Sequence, residues 1–436
     1  MPIVLTPPRM LRKVFLCLGL GFAFLLTPGC GGGGGNQGNT GPILSTCPNQ
    51  TATPPASGPN TLPIYLGSTG GNTICGNFIN APCTDVTFCP SSGTNCQTIS
   101  NMLVDTGSSG VRIFSSVLSS SGSYSPITVG GSPVGECARF GNGSYGDWGP
   151  LVQAYVTLGG EQAVPIPIQI IEPTYAGQYT SSGSSSSGNT SCGSTFAPDT
   201  SPTQAGYNGI LGVGLGIHWC GTSCTTHSSN NYYFTCSSTT CSPTPLPESS
   251  QDQNPVASLP SDNTGVILSI PCPAAAGSST LTGTLILGIG TESNNTPASG
   301  VTAYPASGQP NFVFDTTFQG TTFSSSTYPN LAFIDSGSPA YYFTDSLSTC
   351  ASPNTSTYCP SSPVSLSAKI AGDGGSPSAT IDFSIAAPSF QYPVVGTIGM
   401  QGGGFDWGLP FFFGRDVYVG INTRASSLGT GPYWAF

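Results

Sequence analysis

Met102-Leu103-Val104-Asp105-Thr106-Gly107-Ser108 and Ala332-Phe333-Ile334-Asp335-Ser336-Gly337-Ser338 follow one pattern. In each, an apolar run of strand type ends on an aspartate, and a small hydroxyl residue, a glycine and a serine come directly after it. A carboxylate at the end of a buried strand is costly unless it is needed there. Two of them, one in each half of the chain, predict a single site assembled from both halves. Aspartates held a few ångströms apart cannot both ionise, and a pair that shares one proton is the working group of acid peptide hydrolysis.

Each copy has a companion. Asn208-Gly209-Ile210-Leu211-Gly212-Val213-Gly214 follows the first and Pro410-Phe411-Phe412-Phe413-Gly414 the second, both apolar pairs closed by glycine. Glycine is used where two backbones pass closely, and in the pepsin-like fold that these residues resemble such a stretch lies against the aspartate loop of its own half. Between the first loop and its companion, Ala138-Arg139-Phe140-Gly141-Asn142-Gly143-Ser144-Tyr145 leads into Leu151 to Gly160. That reads as a Gly-rich hairpin returning as an alternating strand, at the place where the pepsin-like fold carries its flap. Gly283-Thr284-Leu285-Ile286-Leu287-Gly288-Ile289-Gly290 reads as a strand with a glycine turn.

These residues resemble the pepsin-like aspartic peptidases over roughly residues 61 to 436. The resemblance implies an all-β, bilobal acid-protease fold with an interlobe cleft, and Asp105 and Asp335 as its catalytic pair. It also implies that Thr106 and Ser336 tie the two loops together, that Gly107 and Gly337 permit the tight turns, and that Ser108 and Ser338 hydrogen-bond the carboxylates. The flap candidates are Phe140, Gly141 and Tyr145. Two positions depart from the digestive and fungal pepsins: Phe140 stands where they carry the flap tyrosine, and Arg112 where a tryptophan follows the first loop. Arg112 is therefore a candidate cation for the cleft, beside the alternative that Arg112, Arg139 and Arg415 each tie loop carbonyls. More closely, the chain is similar to a bacterial lipoprotein family of unknown function within that group. Cys89 to Cys96, Gly110-Val111-Arg112, Thr291-Glu292-Ser293-Asn294-Asn295 and Pro410 to Arg415 carry that likeness.

The amino terminus reads as a processing signal over residues 1–30. Arg9, Arg12 and Lys13 precede the apolar run Val14 to Leu26, and Cys30 follows a loose lipobox, Leu26-Thr27-Pro28-Gly29. Residues 31–60, opening with five glycines, cannot bury a core and form a flexible tether. This tether holds no Lys or Arg, so no basic segment is expected to cover an acidic cleft. Of the chain's eight basic residues three lie in the signal, which leaves five against eighteen acids. Nucleic acid and anionic lipid are excluded as partners on that balance. The expected contact with a membrane is the lipid anchor alone, and the expected address is the cell envelope.

Fourteen cysteines follow Cys30, an even number in an exported chain, so disulfides are the expectation. Short spacings favour Cys89 with Cys96 and Cys350 with Cys359; the pairing among Cys220, Cys224, Cys236 and Cys241 stays open. His218, Cys220, Cys224 and His227 have metal-like spacing, but cysteines in such a chain pair with each other and no metal is expected. Gly212-Val213-Gly214-Leu215-Gly216 lacks the spacing of a nucleotide loop.

Short strands rich in Val, Ile, Tyr, Phe and Thr, with turn clusters between them, predict an all-β chain. The first lobe is placed at 61–254 and the second at 255–436. Two functions stand: an aspartic endopeptidase that needs no cofactor, acts as a monomer and takes an extended polypeptide across its cleft, or a catalytically silent lipoprotein that binds peptides or partners there.

Overall fold

The computed structural model describes residues 47, 57–68, 73–119, 121–141, 145–177, 192, 196–308, 312–327 and 331–436. The expected signal, Cys30, most of the 31–60 tether and the Ser- and Gly-rich run 181–190 lie outside them. The chain is all-β, as its short alternating runs predict, with one four-residue α-helix, Pro202–Ala205, among the described residues.

Six strands close a barrel in the first half. Cys83–Cys89 pairs with Gln97–Asp105, which runs parallel to Gly209–Val213; that strand pairs antiparallel with Ser109–Phe114. Ser109–Phe114 then runs parallel to Val164–Ile171, and the long strand Tyr145–Thr157 joins Val164–Ile171 back to Cys83–Cys89. Closure leaves no edge to manage. It also gives every second residue an interior to fill, and Val104, Ile113, Ala154, Ile168 and Leu211 are buried there.

The second half repeats part of that ladder in the same order. Ala332–Ile334 runs parallel to Phe405–Trp407, which is antiparallel to Tyr341–Phe343, which is parallel to Gly399–Gln401. The matching series in the first half is Gln97–Asp105, Gly209–Val213, Ser109–Phe114 and Val164–Ile171, with the same alternation of directions. The duplication read in the two aspartate motifs is thus a duplication of topology.

One expectation is corrected here. Pro410 to Gly414 does not lie against the Asp335 strand, because Leu409–Phe412 is a 3₁₀ turn. The strand in that place is Phe405–Trp407, with Ile334 opposite Trp407, so that Gly408 and not Gly414 ends the run beside Asp335.

The halves are joined by a continuation of the barrel's own sheet, in which Tyr65 faces Cys83. Thr61–Gly67, assigned by sequence to the first lobe, pairs over all seven of its residues with Thr280–Leu287 of the second. Gly265–Ile270 links Thr280–Leu287 to Arg415–Gly420, Tyr433–Ala435 lies beside Arg415–Gly420, and Ala303–Pro305 comes last. At the expected lobe boundary Asn254 is fully buried: its side chain donates to Gly214 O at 3.0 Å and accepts from Val256 N at 3.1 Å. It caps a 3₁₀ turn there, so the crossing is anchored to the loop region that follows Gly209–Val213.

Seven disulfides take up all fourteen cysteines after Cys30. They are Cys47–Cys272, Cys75–Cys83, Cys89–Cys96, Cys137–Cys192, Cys220–Cys224, Cys236–Cys241 and Cys350–Cys359. The neighbouring pairs Cys89–Cys96 and Cys350–Cys359 are those expected from spacing. Such a set fits an oxidising, extracytoplasmic environment. No helix among the described residues is long and apolar enough to cross a membrane.

Candidate active site

The strands Gln97–Asp105 and Ala332–Ile334 deliver their aspartates to one place. Asp105 is 1% exposed and Asp335 0%. Gly107 N donates to Asp105 Oδ1 at 2.8 Å and to Asp335 Oδ1 at 3.1 Å, so a single backbone donor spans both carboxyls. Gly337 N donates to Asp335 Oδ1 at 2.7 Å. The two serines act alike: Ser108 Oγ donates to Asp105 Oδ2 at 2.5 Å and Ser338 Oγ to Asp335 Oδ2 at 2.8 Å.

The loops are locked by their second residues. Thr106 N donates to Ser336 Oγ at 3.1 Å, and Ser336 N donates to Thr106 Oγ1 at 2.9 Å. Each hydroxyl then reaches the backbone of the other half, Ser336 Oγ to Val104 O at 2.8 Å and Thr106 Oγ1 to Ile334 O at 3.3 Å. Buried donors and acceptors of both loops are thereby satisfied by the opposite loop, which fixes the spacing of the aspartates.

Gly107 and Gly337 are required for a reason other than the turn. A Cβ on Gly107 would lie 2.5 Å from Asp335 Cγ, and one on Gly337 would lie 2.8 Å from Asp105 Oδ1. Each glycine leaves room for the carboxyl of the opposite half.

Burial pushes Asp335 well above the usual carboxylate range, the negative charge of Asp105 adds to this, and Asp406 pushes the same way. Asp406 was missed by sequence reasoning. It is fully buried on Phe405–Trp407, and burial holds its own carboxyl well above the usual range. The signal for it was present in the first half: a strand must lie beside the Asp335 strand as Gly209–Val213 lies beside the Asp105 strand.

Two expectations change. Phe140 is a core residue and not a lid, being 1% exposed with its ring 5.9 Å from that of Trp219. Its ladder partner Tyr145 is half-buried, and Gly141 turns the hairpin with φ of 59°. Arg112 is no cleft cation. It is fully buried, its Nη2 is 3.0 Å from Asp252 Oδ2 and 3.8 Å from Glu136 Oε1, and it stacks 4.3 Å from the Trp219 ring centroid. A lone buried cation would be prohibitive, so the chain supplies it with carboxylates from two directions. Asp252 also accepts from Val111 N at 2.8 Å, which ties the cluster to the strand that leaves the Asp105 loop. Burial raises Asp252, against the pull of Arg112, to about 7, and raises Glu136 and Asp147 well above the usual range. The other two arginines serve carbonyls: Arg139 donates to Cys192 O, and Arg415 Nη1 to Phe411 O at 2.5 Å.

The metal-like spacing is explained by bonding, since Cys220 and Cys224 are joined to each other and offer no thiolate. His218 lies 4.0 Å from Glu248 instead.

A family model described as "Protein of unknown function (DUF3443)" matches residues 56–436, and the chain belongs to that family. No curated protein matches it.

Proposed function

We propose that the protein is an aspartic endopeptidase of bilobal pepsin-like fold, exported as a lipoprotein anchored through Cys30, that hydrolyses peptide bonds with Asp105 and Asp335. The observation that carries this reading is Gly107 N, which donates to a carboxyl oxygen of both aspartates at once. Carboxyls that close cannot both ionise, so the pair titrates in two separated steps and holds one proton over an acid range. In that state the ionised carboxyl takes a proton from a water lying between the two. The protonated carboxyl gives its proton to the scissile carbonyl oxygen as the water oxygen adds to the carbonyl carbon; the tetrahedral intermediate then breaks its C–N bond, the leaving amine taking the proton drawn from water and a hydroxyl of the intermediate returning the other to the second carboxyl. The repeated ladder beside each aspartate supports two related lobes meeting at this pair. No metal or cofactor is called on, and an extended polypeptide is the substrate.

The test is hydrolysis of unfolded polypeptide by the purified mature protein between acid and neutral pH. Cleavage is expected in the acid range, and Asp105→Asn or Asp335→Asn is expected to abolish it with the fold retained. Cleavage by either variant at the wild-type rate would assign the hydrolysis elsewhere. The near-complete burial of both aspartates favours a second reading, a catalytically silent protein that binds peptides or partners at the same place. Absence of cleavage by wild type over a broad peptide set, with peptides retained by the protein, is the outcome expected of it.

A further inference from the structure

The carbonyl that follows each serine of the site is held by a side chain, but the two halves supply it differently. In the first half Ser109 O accepts from Arg112 Nη1 and Nη2, both at 3.4 Å. The rung of Arg112 is taken in the second half by Tyr342, whose phenol oxygen has no hydrogen-bond partner among the described residues. Pro339 O is held instead from across the junction, where Asn80 Nδ2 donates to it at 2.7 Å. The same amide donates to Val395 O and accepts from Val395 N, each at 2.8 Å, and Asn80 N donates to Pro393 O at 2.7 Å. The chain prepares this reach. Asn80, 1% exposed, lies in the segment closed by the Cys75–Cys83 bond. Its φ of 50° is the left-handed backbone that asparagine takes more readily than most side chains. Its neighbour Ile79 is buried with Ala340, Tyr342, Val395, Ile398 and Met400, all of the second half. Two residues after Asn80, Pro82 O accepts from Val104 N at 2.8 Å, directly before Asp105, and Cys83 then faces Leu103 in the barrel ladder. The segment is rooted beside one aspartate and pinned beside the other.

We propose that Asn80 is a positioning residue of the pair: through Pro339 O it fixes Ser338, and through Ser338 it fixes the carboxyl of Asp335 against that of Asp105. Pro339 follows Ser338 directly, and Ser338 Oγ donates to Asp335 Oδ2 at 2.8 Å. Thr106 and Ser336 set the spacing of the two loops where they begin, whereas Asn80 sets the course of the second loop where it leaves the site. Both bonds from Nδ2 end on carbonyl oxygens, so the role requires two donors on one group. A carboxyl of the same shape carries one O–H when protonated and none when ionised. Asparagine is thus called for twice, by the backbone it must adopt and by the two carbonyls it must serve.

The inference rests on the reading of Asp105 and Asp335 as a catalytic pair, and two measurements separate its failure from that of the peptidase reading. The first is backbone hydrogen exchange, followed by NMR, of the purified mature protein as wild type, Asn80→Gly and Asn80→Asp. Glycine keeps the left-handed backbone and removes the amide. Aspartate tolerates that backbone too, keeps the acceptor for Val395 N, and serves where the glycine variant does not fold. Exchange at the Gly337 and Ser338 amides is expected to rise about tenfold in both variants, with the Val104 and Val111 amides beside the first loop unchanged. The second is hydrolysis of unfolded polypeptide in acid, where kcat is expected to fall about ten- to a hundredfold with KM unchanged. A contribution to stability alone would speed exchange at all four amides together and leave kcat of the folded protein as it was; that result overturns the proposal. Wild-type exchange at Gly337 and Ser338 in either variant overturns it as well. Selective loss of protection at those two amides, in a protein that cleaves no peptide even as wild type, upholds the role of Asn80 and overturns the peptidase reading.

Discussion

Thr106 and Ser336 exchange backbone-to-hydroxyl hydrogen bonds across the junction of the two halves, Thr106 N to Ser336 Oγ and Ser336 N to Thr106 Oγ1, at 3.1 and 2.9 Å. Removing either hydroxyl leaves a buried N–H of the opposite loop without its acceptor, at a cost of about 1 to 3 kcal/mol. Ser336→Ala and Thr106→Val are each expected to lower stability by that amount in urea denaturation. The double variant is expected to lose less than the sum, because the two bonds belong to one interlock. Strict additivity would show that the hydroxyls act independently.

Gly107→Ala tests the need for space at the centre of the site. The new methyl would sit 2.5 Å from Asp335 Cγ, a distance no carbon pair tolerates, so the carboxyl must move. A shift of the order of an ångström is expected to lower the proposed hydrolysis by about a hundredfold, while the stability loss stays near 1 to 3 kcal/mol. An active Gly107→Ala protein would mean that the geometry of the pair does not matter to the reaction.

Arg112→Met tests the buried cluster beside the Asp105 loop. It strips Asp252 and Glu136 of their counter-charge in a place without water access, and the expected loss is about 3 to 5 kcal/mol. Adding Asp252→Asn should recover part of that loss, since the uncompensated charge is then gone. A single variant as stable as wild type by chemical denaturation would contradict the ion-pair role.

Stability is expected to be greatest in acid. Asp335, Asp406, Glu136, Asp147 and Asp252 are all raised by burial, Asp252 to about 7. Between the ordinary carboxylate values near 4 and these raised ones, the folded chain binds more protons than the unfolded chain. Stability then falls as pH rises: it is fully present below about 4 and is lost through about 7 and above. Melting temperature should decline from pH 4 to pH 8, with a shallower decline in Glu136→Gln. A melting temperature that climbs over that range would contradict the assignment.

The aspartate motifs were legible because everything that defines them is local: an apolar run, the acid, a hydroxyl, a glycine and a serine in sequence. Cys89–Cys96 and Cys350–Cys359 were legible for the same reason. The strand at Phe405–Trp407 was not, because Asp406 interrupts the apolar pair that would have marked it and Pro410 to Gly414 offers a closer textual match. The partners of Arg112 come from separate parts of the chain, Glu136 from the strand Ser132–Phe140 and Asp252 from a connecting segment that grips Val111 from 141 residues away. Nor could the sequence say which of Phe140 and Tyr145 faces inward, since a slip of one residue in a hairpin exchanges its faces.

The clasp of Thr61–Gly67 onto Thr280–Leu287 sets an order of events in the making of the chain. All six strands of the barrel lie between Cys83 and Val213 and can close as soon as that stretch is available. Thr61–Gly67 must wait with most of its length unpaired until residue 287 arrives, and the Cys47–Cys272 bond waits with it. Contacts so far apart in sequence form slowly, and a waiting strand edge invites the wrong neighbour. A chain cut short before Thr280 keeps its barrel and presents that edge permanently, so such a fragment should self-associate through Thr61–Gly67 where the full chain does not.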